Sequence, residues 1–207
     1  MKRLIDLEHW NRKEHFKFFS ALDDPFFGIT TLVDFTGIYK RSREERTSFF
    51  LRSVHFILKC VNETEAFKLR IENDQVVKYD LINVSPTIGR EDGTFGFGFF
   101  EYDANLDTFI RNAEKEIERV KNGKGLSFSE NTGRPDLIRY SALPWFVFSE
   151  MKHAVSFGKG DSVPRISTGK LAQTDEKYML SVSISVHHAL VDGRDVAELV
   201  ERLGTPA

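Results

Sequence analysis

The chain has 207 residues, with 29 basic and 31 acidic side chains for a formal net charge of −2, one cysteine and 19 phenylalanines. That length suits one domain with a proper core, and the near-balanced charge gives no electrostatic case for a nucleic-acid partner. The lone Cys60 excludes an internal disulfide and fits a reducing compartment, while the N-terminal MKRLIDLEHW has no apolar core of a signal peptide and no apolar run is long enough for a bilayer; a cytoplasmic protein without membrane contact is expected.

Helical patterning runs over residues 8–22 and again over 44–62, where Phe50, Val54, Ile57, Leu58 and Val61 recur at helix spacing. Residues 67–71 and 76–81 alternate as strands around Glu72-Asn73-Asp74-Gln75, which reads as a hairpin turn. Phe95, Phe97 and Phe99 alternate with Gly96 and Gly98, giving one aromatic strand face and one nearly bare. A bare face suits tight packing under a helix; backbone lining a ligand channel is the other reading. A further helix is predicted over 106–121, with Lys115, Glu116, Glu118, Arg119 and Lys121 as its solvated face, and Asn122-Gly123-Lys124-Gly125 as a loop. Strands over 137–148, 165–171 and 178–186 precede an amphipathic helix over 196–203. Strands and helices interleave without a regular β-α repeat, so the pattern predicts an α+β two-layer sandwich, a mixed β-sheet covered by helices, as one domain over residues 1–207.

The most informative stretch is His187-His188-Ala189-Leu190-Val191-Asp192-Gly193, which follows a strand-like run. Imidazole has the unperturbed pKa nearest neutrality, so a histidine at a strand end with a carboxylate four residues on suits a general base. Strand neighbours point to opposite faces, which singles out the second histidine. Taken alone, H-x-x-x-D is more often a packed histidine followed by a helix N-cap, here Asp192. A metal site lacks the support of C-x-x-C or H-x-x-E-H, and none is expected.

Two more blocks accompany it: Trp10-Asn11-Arg12-Lys13-Glu14-His15-Phe16 and Ser141-Ala142-Leu143-Pro144-Trp145. In this order, and over a matching length, the three blocks resemble the chloramphenicol acetyltransferase family. The resemblance implies a trimeric acetyl-CoA-dependent O-acetyltransferase with its active sites between subunits. His188 matches the family's base and Ser141 its donor to the oxyanion. Asp192 matches a carboxylate that forms a buried ion pair with the arginine of the first block, here Arg12. Lys170 aligns with a lysine near the cofactor, whose phosphates a cation suits. Ser167 stands where the family has a threonine that binds the intermediate through water.

In the acceptor pocket, Phe19 and Phe27 align with aromatics that border the antibiotic, although the loop around Asp23-Asp24-Pro25 is one residue longer here. His153 departs from an apolar family position, where it would hydrogen-bond a different acceptor or face solvent. Three functions follow: acetylation of chloramphenicol, the same chemistry on another small hydroxyl-bearing acceptor, or a non-catalytic trimeric binding protein.

Overall fold

The computed structural model describes residues 1–154 and 161–205. Its elements in chain order are β1 (Lys2–Leu4), α1 (Lys13–Ser20), β2 (Phe26–Asp34), α2 (Thr36–Glu44), α3 (Phe49–Glu63), β3 (Leu69–Glu72), β4 (Gln75–Tyr79), β5 (Asn83–Gly89), β6 (Phe95–Phe97), α4 (Leu106–Lys121), β7 (Leu137–Ala142), β8 (Arg165–Thr174), β9 (Lys177–His187) and α5 (Gly193–Leu203). The short strands form a sheet ordered β1-β4-β3, and the other six form a sheet ordered β2-β9-β8-β7-β5-β6. In the larger sheet β8, β7 and β5 run parallel and the remaining neighbours antiparallel, so it is mixed, and the class is α+β as read from the sequence.

Strand β9 explains why the large sheet has two unlike faces. Successive side chains alternate, so Leu180, Val182, Ile184 and Val186 point one way and Ser181, Ser183, Ser185 and His187 the other. The aliphatic set joins Val54, Ile57, Leu58 and Val61 of α3 and Leu199 and Leu203 of α5 in the core. Each such side chain contributes about 1.5–3 kcal/mol by leaving water. Strand β7 repeats the device, sending Ile138 and Tyr140 into the core and leaving Arg139 and Ser141 on the opposite face. The polar face is the one that carries the candidate site.

Several boundaries differ from the periodicity. The helix expected over 8–22 is shortened to α1, because Asp6 accepts the N–H of Glu8 and the chain after it runs in turns. The helix expected over 44–62 starts later: Arg46 has φ 54° and Thr47 N–H bonds back to Ser42, which closes α2 before Ser48 caps α3. The strand expected over 67–71 opens with a 3-10 turn over Glu65–Lys68. The hairpin turn is where the sequence puts it, with Asn73 and Asp74 at φ 50° and 58°, as a type I′ turn requires.

The strand expected over 137–148 stops at Ala142. Leu143 N–H makes a last bond to Thr168 at 2.7 Å, Pro144 has no N–H to continue the ladder, and Trp145 swings out to 72% exposure. Pattern reading gives no sign of α2, β2 or β5. The last contains Pro86, which demotes a strand, and β2 is half-covered on both faces.

Gly96 accounts for the bare face of the Phe-Gly strand. A Cβ there would lie 2.8 Å from Val120 of α4, so the glycine permits close packing against that helix. Phe95 and Phe97, on the other face of the same strand, line a cavity described below. Cys60 is buried, and burial pushes its thiol up to about 12. No helix among the described residues is long and apolar enough to cross a membrane.

Candidate active site

Beyond β9 the chain turns through His188–Asp192 territory into α5, and each step of the turn is pinned. Leu190 and Val191 N–H return to the His187 carbonyl at 3.0 and 3.1 Å. Asp192 accepts the N–H groups of Arg194 and Asp195 at 2.9 and 3.3 Å, and Asp195 accepts that of Asp192 at 2.8 Å, a reciprocal capping box. The helix-cap reading of Asp192 is therefore right, and it does not exclude a second role.

His188 is held at every polar atom but one. Its N–H donates to the Pro25 carbonyl at 2.8 Å, and its own carbonyl accepts from Arg12 Nη2 at 3.2 Å. Imidazole Nδ1 lies 3.2 Å from the Val191 carbonyl. A carbonyl can only accept, so Nδ1 carries the proton and Nε2 keeps its lone pair. The ring stacks on Phe19 with centroids 3.9 Å apart and leans on Phe27 at 4.5 Å. An imidazole so fixed can take a proton at Nε2. His187 differs: it is buried on the polar sheet face, edge-on to Phe26, with Nδ1 accepting from Ala189 N–H, and burial pulls it down to about 4.

Arg12, at the N-terminus of α1, reaches across to this turn. Its Nη1 meets Asp192 Oδ2 at 2.5 Å and lies 4.0 Å from Asp195, while Phe19 seven residues on packs against the imidazole. The resemblance implies a buried ion pair; the pair forms, but Asp192 is 38% exposed in the single chain. Burial alone would push the Asp192 carboxyl up. The hydrogen bonds from Arg12 and from the Asp195 and Arg194 N–H groups outweigh it and hold the carboxyl below its ordinary range.

Asp192→Asn keeps a capping oxygen and removes the charge, so it isolates the pair. Discounted for solvent screening, the expected loss is about 1–2 kcal/mol at neutral pH. Because the folded-state value is lowered, this stability is present above the unfolded value near 4 and is lost as pH falls through the folded one. Urea unfolding of the two proteins should therefore diverge at pH 7 and draw together only as the pH falls below the unfolded value near 4 and through the folded one. Identical curves at pH 7 would remove the pair from the account.

Ser141 lies on the polar face of β7, opposite Ser167 of β8, which in turn pairs with Ser183 of β9. Thr87 Oγ1 donates to Ser141 Oγ at 3.2 Å, which leaves the serine's own hydrogen free to donate elsewhere. Ser167 is fully buried, and its hydroxyl lies 2.9 Å from His153 Nε2. Burial, with Arg165 nearby, lowers the pKa of His153. Ser141, Ser167, Thr87 and His153 line one cavity of about 480 Å³. Phe27, Gly28 and His153 line an adjoining one of about 440 Å³.

The structure thus assembles two groups, which meet where Phe27 and His153 line the same hollow. One comprises His188, Phe19, Phe27, Arg12 and Asp192; the other comprises Ser141, Ser167 and His153. Ser141 is level with Ser183, two strands from β9 and four residues before its end, so the backbone of Ser141 lies roughly 16 Å from that of His187, and His188 is one residue further on. Lys170 belongs to neither: its side chain is exposed, and its N–H donates to the Phe146 carbonyl. Pattern reading missed Thr87 and Arg165, which lie in a strand it did not detect and at the first position of one it did.

A model of the family described as chloramphenicol acetyltransferase matches residues 2–204. Chloramphenicol acetyltransferase 3 of Escherichia coli is 28% identical over 200 residues, 96% of this chain and 93% of that protein. A chloramphenicol acetyltransferase of Clostridium perfringens is also 28% identical, over 94% of this chain and 89% of its own length. A solved chloramphenicol acetyltransferase structure superposes with a TM-score of 0.91 at 30% identity, covering 99% of this chain and 98% of the other. A probable dihydrolipoamide acetyltransferase from Listeria monocytogenes, with a TM-score of 0.66 at 13% identity over 92% of this chain and 87% of that one, shares the fold alone. With its three motif blocks on one scaffold, and with matches spanning its length, the chain belongs to the chloramphenicol acetyltransferase family, a family of acyltransferases.

Proposed function

We propose that the protein transfers the acetyl group of acetyl-CoA to a hydroxyl of chloramphenicol, acting as a single-domain subunit of a cytoplasmic homotrimer with its active sites between subunits. The observation that carries this reading is the imidazole of His188, tethered at Nδ1 to the Val191 carbonyl and wedged between Phe19 and Phe27 with Nε2 left for the reaction. Nε2 takes the proton of the acceptor hydroxyl as its oxygen attacks the thioester carbonyl. The resulting oxyanion accepts the Ser141 hydroxyl, whose free hydrogen the Thr87 bond preserves. Collapse expels the CoA thiolate, which takes the proton from the imidazolium, so no acyl-enzyme forms and no metal is needed. Ser167 holds water near the intermediate, Lys170 meets a CoA phosphate, and Arg12 with Asp192 braces the turn.

The separation of Ser141 from the end of β9, roughly 16 Å, supports a site shared between subunits. A base and an oxyanion donor must both come within about 3 Å of the reacting atoms, so a chain that separates them by several times that distance needs a neighbour's half. The test is free-thiol release from acetyl-CoA in the presence of chloramphenicol. Ser141→Ala should lower kcat about 10²–10³-fold, as loss of an oxyanion donor does. In an equimolar co-refolded mixture of Ser141→Ala with His188→Ala, about a quarter of the sites regain both groups if the halves come from different subunits. A mixture as inactive as its components would sink the interfacial site, and silence of the wild type would sink the acceptor. One observation favours a second acceptor class: the cavity that holds Ser141 is lined by Arg139 and Arg165 as well as by Phe95 and Phe97.

A further inference from the structure

Arg139 and Arg165 sit directly opposite each other on neighbouring strands, on the same face as Ser141 and Ser167. Like charges in that position repel and need a reason. Their shared counter-charge is Asp161, which accepts from Arg165 Nη2 at 2.6 Å and lies 3.8 Å from Arg139 Nη2. One carboxylate against two guanidinium groups leaves an unbalanced positive charge. Lys152, at the same cavity, adds to it, and the acids Asp24 and Glu150 line only the adjoining hollow.

Arg165 is 5% exposed and lies 4.5 Å above the Phe26 ring, so its fork is rigidly placed. Its Nη1 and the Nδ1 of His153 are buried without hydrogen-bond partners among the described residues. Arg165 Nη1 can only donate, and a buried donor without an acceptor is a standing cost that a bound acceptor group removes. Planar guanidinium matches a carboxylate. One same-face step along the strands, about 6.8 Å, separates the arginine pair from the serine pair.

Resting on the acyl-transfer reading above, we infer that the acceptor site of this protein takes a hydroxyl compound that also carries a carboxylate, bound by Arg165 with Arg139 while the hydroxyl reacts beside Ser141. Chloramphenicol, which is neutral, then occupies the same cavity without satisfying the arginines. Arg165 is in this sense a specificity residue: it selects the acceptor and takes no part in moving the proton.

Calorimetric titration of the intact protein with 4-(hydroxymethyl)benzoate and with its primary amide reads the subsite directly, because the two are alike in shape and differ in charge. The carboxylate should bind about tenfold tighter than the amide in the wild type, as one charge-assisted contact allows. Arg165→Leu should bring the two affinities together, and Arg139→Gln, at an exposed position, should narrow the gap even where the leucine variant fails to fold. Equal affinities in the wild type overturn the inference, as does a carboxylate preference that survives Arg165→Leu. Thiol release with chloramphenicol is measured in parallel. Its absence counts against the acyl-transfer reading, and the binding ratio still decides this one.

Discussion

Replacing His188 with alanine is expected to lower acetyl transfer by about 10²–10⁴-fold, the usual worth of a positioned general base. On the proposed mechanism the loss should fall on kcat, because there the imidazole acts on the acceptor's proton while CoA binding draws on other residues. The size of the effect follows from how little freedom the ring has: Nδ1 is tied to Val191, both backbone polar groups are taken by Pro25 and Arg12, and two aromatic rings flank it. Those rings also predict a modest cost in stability, about 1–2 kcal/mol for two lost ring contacts. Thiol-release kinetics beside a denaturant curve separates the two effects. A variant that keeps more than a tenth of wild-type kcat would remove His188 from the proton transfer. His188→Gln, which retains bulk and a hydrogen-bonding end without a titratable nitrogen, should be as inactive as the alanine variant and more stable.

The second large effect is expected far from any catalytic group, at Arg70. Its side chain is fully buried, and its guanidinium donates to four carbonyls: Pro135 at 2.7 Å, Phe67 at 2.8 Å, Leu69 at 2.6 Å and Leu137 at 2.8 Å. Burial pulls it down to about 10, so it remains charged at neutral pH. Among the described residues no carboxylate makes ion-pair contact with it; carbonyl dipoles stabilise the charge, with Tyr79, Asp136, Asp161 and Glu72 acting at longer range. Arg70→Met keeps the stem and removes every donor, stranding the four carbonyls. By analogy with breaking a buried charged network, the loss is about 3–5 kcal/mol, or roughly 6–20 °C in Tm for a chain of this size. Two of the carbonyls flank the start of β7, so the strand that carries Ser141 should loosen first. Hydrogen exchange in residues 137–142 would rise before that in α3 if this is so, and a Tm within 2 °C of wild type would contradict the role.

The parts of this molecule that could be read from the chain are those where one physical signal dominates. The apolar stripe of α3 and the charged face of α4 belong to helices covered on one side, and β9, buried on both faces, still shows its period because serine alternates with aliphatic residues. Strand β2 pairs along the edge of the sheet and is half-covered on both faces, so neither period stands out. Pro86 hides β5 by local chemistry that the sheet tolerates. At the candidate site, the motif blocks pointed to Arg12, Ser141, His188 and Asp192, and the Arg12–Asp192 contact was legible because both ends lie in those blocks. The distance between His188 and Ser141 was not, since it depends on strand order. Arg165 was missed for a related reason: its neighbour Arg139 is 26 positions away and meets it only through sheet pairing.

The pairing of β2 with β9 joins the two ends of the chain, and this constrains how the molecule comes into being. Phe26 to Asp34 finds its partner only in residues 179–187, along an unbroken register. About 140 residues lie between the two strands, so at 5–20 residues per second a ribosome leaves the earlier one waiting for roughly 7–30 s. Throughout that interval Phe26, Phe27, Ile29, Leu32 and Val33 stand on an unpaired edge, available to any other nascent strand. Arg12 waits even longer for Asp192. The large sheet is thus closed after most of the polypeptide has been made, and yield in a cell should depend on how well chaperones shelter the first 40 or so residues more than on the stability of the finished protein.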